Sequence, residues 1–361
     1  MSSPVDRSLG IIYGQFIGDA LGSRYEFKSG KIVTKKLEAD RDESGLVPLL
    51  GGGPFGYGPG VVTDDGEMAM SLLASILHEN AYDASSVACA YVRWAQTNPP
   101  DIGNTCSAAL SVRTKIPRDW PSAFSPEDRK KVRETVEANV KSRGSTSLSN
   151  GSLMRQSVLT AAYSSQYFKT KRPDQGFEDE FIANLISAVE SDTRLTHCNL
   201  VAMEASSVYA LLLFHLLKGK TPEEAVDSAV SACSIPLIRS LLVTARDRAV
   251  PVCISDKERD STGDDTFMGY LGVALQVSVH YLLHSSSFSD GLLRVIAIGG
   301  DTDTNGAIAG ALLGARFGFE EIPSEWKKSV ETAPLRLKGE NGIESFEQLI
   351  GVVKKRFEEK Y

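Results

Sequence analysis

The chain has 361 residues, 42% of them hydrophobic and 24% charged, a composition that excludes intrinsic disorder over most of its length. Lysine plus arginine number 39 and the acids 46, so the net charge of −7 gives no global attraction to nucleic acid or to an anionic membrane, and neither is expected as a partner. The five cysteines are odd in number and show no CxxC spacing, which argues against a disulfide framework or a zinc knuckle and for a reducing, cytoplasmic setting.

From the N-terminus, Met1–Leu9 is polar and charged and is not expected to act as an export signal. Three glycine- and proline-rich runs, Leu50–Gly60, Asn98–Gly103 and Ser142–Gly151, predict loops. Glu67–His78 places Met68, Leu72, Leu73, Ile76 and Leu77 on one helical face, and Val87–Ala95 continues the helical spacing. Ser125-Pro126-Glu127-Asp128 is a helix start, and the charged stretch up to Lys141 predicts an exposed helix. The polar segment Gln166–Glu180 predicts a surface loop. Further helices are predicted over Phe181–Val189, Ala202–Leu217, Pro222–Ala232, Leu237–Asp247, Phe267–Leu283, Asn305–Phe317 and Ser345–Phe357. The uncharged span Thr266–Ser289 contains Gln276, His280, His284 and several serines, so it predicts a buried amphipathic helix and not a bilayer span. Period-two alternation is confined to Val252–Ile254. The pattern predicts an all-α fold, a single domain over residues 8–355, and no sheet of consequence.

Three segments concentrate acids and hydroxyls: Gly18–Gly22 with Glu26, Thr63-Asp64-Asp65, and Gly299–Gly306. The last holds Asp301 and Asp303 between apolar runs, with no lysine or arginine between Arg294 and Arg316. Carboxylates in core-like sequence are costly unless paired or bound to a metal. An oxygen-only donor set selects Mg²⁺, Mn²⁺ or Ca²⁺ over zinc. Capping is the alternative at each place: Asp64-Asp65 for the helix that follows, and Asp301–Asn305 likewise. An EF-hand is a further alternative, since Asp301, Asp303, Asn305 and Gly306 occupy loop positions one, three, five and six. Ala309 and Leu312 fill positions nine and twelve, however, where a calcium cage needs oxygen. Gly306, Gly310 and Gly314 recur at i, i+4, leaving a bare helix face suited to close packing.

Seven motifs in order resemble the ADP-ribosylglycohydrolase family, and in particular its dinitrogenase reductase-activating glycohydrolase branch. They are Gly18–Phe27, Val62–Met70, Pro99–Cys106, Asn150–Arg155, Arg194–His197, Gly269–Leu275 and Gly299–Gly318. The resemblance implies a compact multi-helix bundle with a two-metal cleft and hydrolysis of the C1″ ribosyl bond of ADP-ribosylated proteins or small ADP-ribose conjugates by a monomer. It implies two divalent cations, Mg²⁺ or Mn²⁺, held by Thr63, Asp64, Asp65, Asp301, Asp303 and Thr304, with Glu26 beside them. It further implies catalysis by Asp101, Glu26 and Asp303, with Asp101 pointing to ADP-ribosyl-arginine as the expected substrate. The alternatives are ADP-ribosyl-serine, O-acetyl-ADP-ribose, or a non-enzymatic binding or structural protein of the same fold. Substrate contacts are implied for Gly103, Asn104, Asn150, Gly151, Ser152, Met154, Arg155, His197 and Tyr270. Asp101 alternatively caps the helix after Gly103, Arg155 alternatively pairs with a core carboxylate, and His197 and Tyr270 alternatively pack in the core. Cys198-Asn199-Leu200 and Ser145–Ser149 depart from the family pattern and are expected to border the acceptor side of the cleft.

Overall fold

The computed structural model describes residues 2–143, 146–170, 173–249 and 268–358. Among these the helices are α1 (Pro4–Gly22), α2 (Gly30–Ala39), α3 (Asp64–Glu79), α4 (Ala84–Ala95), α5 (Asn104–Ala109), α6 (Trp120–Ala123), α7 (Pro126–Arg143), α8 (Gln156–Lys169), α9 (Gln175–Thr193), α10 (Leu200–Leu217), α11 (Pro222–Ala232), α12 (Pro236–Thr244), α13 (Leu271–His284), α14 (Phe288–Ile296), α15 (Thr302–Phe317), α16 (Ser324–Thr332) and α17 (Phe346–Glu358). The two strands, β1 (Lys28–Ser29) and β2 (Gly299–Gly300), pair antiparallel. The fold is all-α, as the periodicity predicts, and Val252–Ile254 lies outside the described residues.

At the centre, α1 packs antiparallel on α15. The glycine stripe of α15 meets a second stripe: Gly10 faces Gly314, Gly14 faces Gly310, Gly18 faces Gly306, and Gly22 faces Thr302. A Cβ at any of these seven glycines would strike backbone of the partner helix, so they admit no side chain at this separation. From Ser8 to Gly22 and from Thr302 to Ala315 every residue is buried. This explains why α1 carries no amphipathic signature: it has no solvent face. Ser3 caps it, accepting from the Asp6 N–H at 3.1 Å, and Pro4 follows the cap.

Around this pair pack α8, α10, α13, α14 and α3. Among the described residues, α10 alone is long and apolar enough to cross a membrane, and 83% of it is buried inside the protein. Helix α7 is not simply exposed: Val132, Val136 and Val140 form a buried stripe at i, i+4 spacing beneath its charged face. The expected loop Gln166–Glu180 is mostly helix, because α8 continues to Lys169 and α9 begins at Gln175, capped by Asp174. Two features of this scaffold position the site. The N-termini of α3 and α15 meet near the C-terminal end of α1, and β1 pairs with β2 to bring the residues after α1 beside the turn that opens α15.

Candidate metal centre and cleft

The three acidic segments converge. Glu26, Asp301 and Asp303 place carboxylate oxygens within 4.8 Å of one another. Asp65 accepts hydrogen bonds from Thr63 Oγ1 at 3.0 Å and from Thr304 Oγ1 at 3.3 Å, which ties the start of α3 to the start of α15. The Thr304 N–H donates to Asp303 at 3.0 Å, and Asn150 Nδ2 donates to Asp301 at 2.8 Å. Neither acidic pair serves as a helix cap: Thr63 caps α3 with its own hydroxyl, and Asp301 precedes α15 without a side-chain cap bond. The EF-hand alternative fails because helix begins at Thr302, leaving no twelve-residue loop.

Asp19 is buried beneath this cluster and was assigned no role on sequence. Its carboxylate accepts from the Thr63 N–H at 3.0 Å and the Gly66 N–H at 2.8 Å, fixing the first turn of α3. A Cβ at residue 66 would sit 2.7 Å from its Oδ2, so Gly66 lets the carboxylate approach. Its trace in the sequence is its place in the acidic segment Gly18–Gly22, after an apolar run.

Burial drives the carboxyls up, and their mutual repulsion adds to it. Asp19 rises to about 8 and Glu26 to about 9, and Asp64, Asp65 and Asp303 are raised well above the ordinary carboxylate range. Buried Glu26 Oε2 and Asp65 Oδ1 have no hydrogen-bond partner among the described residues. Crowded, partly unpartnered oxygens of this kind are what a hard divalent cation requires, so the residues present fit such an ion.

The cluster floors a cleft of about 420 Å³. Glu26, Asp64, Asp101, Asp301, Asp303, Thr304, Gly103, Asn104, Asn150, Gly151 and Met154 line it. Asp101 does not cap α5, whose N-cap is Gly103 with no side-chain bond. It reaches instead to α3: its Oδ2 accepts from the Asp64 N–H at 3.3 Å and from the hydroxyl of Tyr57, a residue missed on sequence. Its Oδ1 is buried without a partner among the described residues, and burial raises its carboxyl.

Thr63 and Asp65 stand behind the lining, and four expected substrate contacts face elsewhere. Arg155 is fully buried. It binds the Asp192 carboxylate at 2.8 Å, the Asp192 carbonyl at 3.0 Å, Gly151 O at 2.8 Å and Thr196 Oγ1 at 2.9 Å. It is a core cation, not a phosphate ligand, because Asp192 offers a compensating charge where no water reaches. Ser152 is buried beside Ser206, 3.4 Å between their hydroxyls. His197 is buried, its Nε2 2.7 Å from Ser149 Oγ and its Nδ1 2.8 Å from Thr196 Oγ1. Burial, followed by the charge of Arg155, lowers it to about 3, so it braces the cleft wall as a neutral ring. Tyr270 packs against the core, and the loop is closed instead by the Asn150 N–H donating to Gly269 O at 2.9 Å. That bond also removes one N–H from those available to an anion. Of the departing segments, Ser149 borders the cleft, whereas Cys198 contacts the Val140 carbonyl outside it.

The sequence model of the ADP-ribosylglycohydrolase family matches residues 1–359. The chain is 30% identical over 339 residues to the L543 protein of Acanthamoeba polyphaga mimivirus, covering 90% of each. It is 26% identical over 333 residues to the ADP-ribosylarginine hydrolase Tri1 of Serratia proteamaculans, covering 90% of this chain and 75% of that one. It is 26% identical over 326 residues to the ADP-ribosyl-[dinitrogen reductase] glycohydrolase of Rhodospirillum rubrum, covering 90% of each. A solved structure titled ADP-ribosylglycohydrolase-related protein complex superposes with a TM-score of 0.67 at 24% identity, over 99% of this chain and 98% of that one, and supports the fold.

Proposed function

The chain belongs to the ADP-ribosylglycohydrolase family and is a hydrolase, and from that premise we propose that it releases ADP-ribose from arginine side chains of modified proteins. The observation that carries the acceptor assignment is Asp101, which lines the cleft next to the acidic floor and whose buried Oδ1 has no hydrogen-bond partner among the described residues. Two relatives that cover most of this chain bear names for ADP-ribosylarginine and ADP-ribosyl-dinitrogen reductase cleavage, which supports the same reading.

Two cations, Mg²⁺ or Mn²⁺, would be held by Thr63, Asp64, Asp65, Asp301, Asp303 and Thr304, with Glu26 at their side. When bound, such ions grip ribose hydroxyls and activate water. The remaining chemistry belongs to side chains. Cleavage at C1″ passes through an oxocarbenium-like state, and the departing guanidine nitrogen must gain a proton. Asp101 is held at Oδ2 by Tyr57 and the Asp64 N–H, which leaves Oδ1 to carry that proton to the nitrogen. With cations bound, whose charge would offset the burial and repulsion that raise Glu26, its unpartnered Oε2 would take the proton of the attacking water. Asn150 fixes Asp301, and Thr304 fixes Asp303, so the floor is preorganised before substrate arrives.

The test is incubation with arginine-linked and serine-linked ADP-ribosyl peptides and O-acetyl-ADP-ribose, with Mg²⁺ or Mn²⁺, following free ADP-ribose. Release from the arginine-linked peptide is expected. Release from the serine-linked or acetyl conjugate alone would overturn the assignment.

A further inference from the structure

Resting on the arginine reading, we propose that Phe27 and Phe55 form an aromatic clamp at the mouth of the cleft, which takes the planar guanidinium of the acceptor and so selects the conjugates cleaved. Both rings line the cleft, yet they remain 44% and 38% exposed. Their centroids are 6.2 Å apart at 73°, an edge-to-face corner and not a sandwich, so the guanidinium would lie on an exposed ring face and not between the rings; Phe55 lies 6.3 Å from Tyr57, whose hydroxyl holds Asp101. The aromatic surface therefore continues the wall that carries Asp101, and Phe27 follows Glu26 directly in the chain.

The backbone is built to keep the rings there. Phe27 has φ 60°, a left-handed conformation that is rare and strained for a bulky residue and that tends to persist at functional sites. Its N–H donates to Gly300 O at 2.9 Å, so it is fixed by the same strand pairing that sets Glu26 beside Asp301. Phe55 rides on a loop closed by the reciprocal bonds of Gly52 and Tyr57, at 2.7 and 3.0 Å. Arg24 pins that loop by donating to Gly51 O at 2.9 Å. Gly53, at φ 73°, lies so close to the Ser23 carbonyl that no side chain fits.

The chemistry of this rim suits a planar cation. An aromatic face carries a negative quadrupole on which guanidinium stacks better than most groups. Asp101, in the adjoining wall, offers a hydrogen-bond partner for the guanidinium N–H groups. Neither a serine-linked nor an O-acetyl conjugate offers a planar cation. On this proposal the ADP-ribose moiety lies toward Asn104 and Asn150 in the same cleft, and the titration with free ADP-ribose tests whether the rings touch the acceptor alone.

The experiment uses the full chain, with Phe27→Leu, Phe55→Leu and the double variant. Leucine keeps apolar bulk and tolerates the left-handed backbone of residue 27 no better than phenylalanine does. Agmatine, which carries the guanidinium without ADP-ribose, is titrated by calorimetry, and so is free ADP-ribose; KM and kcat are measured on the arginine-linked peptide. In the double variant, agmatine affinity is expected to fall and KM to rise by about tenfold, the scale of a partly desolvated cation–π pair. Free ADP-ribose affinity and kcat should hold within about twofold, and Phe55→Tyr should restore the wild-type values of a Phe55 site. The clamp is overturned if wild-type protein does not bind agmatine or if agmatine affinity is indifferent to the leucines. It is overturned equally if ADP-ribose affinity falls in parallel, which would assign the rings to the nucleotide. Ring-dependent agmatine binding without cleavage of the arginine-linked peptide would instead sustain the clamp and refute the arginine hydrolase reading.

Discussion

The sharpest structural expectation concerns Gly14→Ala in the helix pair α1 and α15. A Cβ at residue 14 would lie 2.7 Å from the Gly310 carbonyl carbon and closer still to its oxygen, whereas real Cβ contacts essentially never fall under 3.0 Å. Both obstacles are backbone, so no side chain can rotate away and the helices must part by roughly 1 Å. A gap of about that size forfeits a quarter to a half of the dispersion energy of the atoms facing it. Overpacking of a rigid core costs about 1–3 kcal/mol, and the loss along both glycine stripes pushes toward the upper end. Alanine returns up to about 1 kcal/mol of helix propensity, so the expected net loss is about 2 kcal/mol. At roughly 2.1 cal/mol/K per residue, that corresponds to a Tm about 3 °C lower, readable by calorimetry. Gly351→Ala is the control: it lies in a helix with nothing within 4 Å of the added Cβ, and should be neutral or stabilising. A Gly14→Ala protein as stable as wild type would refute the claim that these two backbones touch.

Three further outcomes follow from the cleft and its supports. Asp101→Asn keeps an acceptor for the Asp64 N–H and should leave ADP-ribose affinity intact, while turnover of the arginine-linked peptide falls about 10²-fold; wild-type turnover would remove Asp101 from the chemistry. Metal should raise the thermal stability of the wild-type protein by about 2.7 kcal/mol at a hundred times its Kd, and Asp303→Ala should lose most of that gain; an equal Mn²⁺-induced shift in both would refute the assigned site. His197, lowered to about 3 in the fold against 6.5 in the open chain, lets the unfolded state take a proton first as pH falls. Its penalty is therefore absent at pH 8 and grows from about pH 6.5 downward, by up to about 1.4 kcal/mol per pH unit. His197→Gln should flatten the pH dependence of urea unfolding between pH 6 and 4 by that amount, and an unchanged slope would show that the ring is not held neutral.

How much of this was legible beforehand depended on whether a residue contradicted its surroundings. Asp301 and Asp303 stand out because carboxylates between apolar runs require an explanation, and Asp64-Asp65 at a helix start gains meaning once they do. Helix α1 was invisible for the opposite reason. With Ser8–Gly22 buried on every side it has no polar face to set a period, and four glycines lower its helix propensity. Its stripe repeats the i, i+4 spacing of Gly306, Gly310 and Gly314, but a stripe states only that something approaches closely, and the partner lies nearly 300 residues away. Glu26 could be proposed as a ligand from its type; its position beside Asp301 rests on a two-residue strand pairing too short to leave a pattern.

The Asn150–Arg155 motif shows where reading by motif ends. Its residues enter the fold through a single 3₁₀ turn over Leu153–Arg155 before α8 begins. With about three residues per turn, neighbours in sequence point to different faces. Asn150, Gly151 and Met154 reach the cleft, while Ser152 and Arg155 turn inward to Ser206 and Asp192. Serine and arginine are plausible partners for a phosphate and for a buried carboxylate alike, so residue type does not decide between them; the facing of one short turn does. Asp192, which gave no signal on sequence, is what makes the inward choice stable, since it also accepts from Tyr91 at 2.8 Å and Gln156 at 2.8 Å and so leaves Arg155 a fully built partner. The cleft wall and the core thus share one motif, and a substitution at Arg155 should act on folding before it acts on substrate.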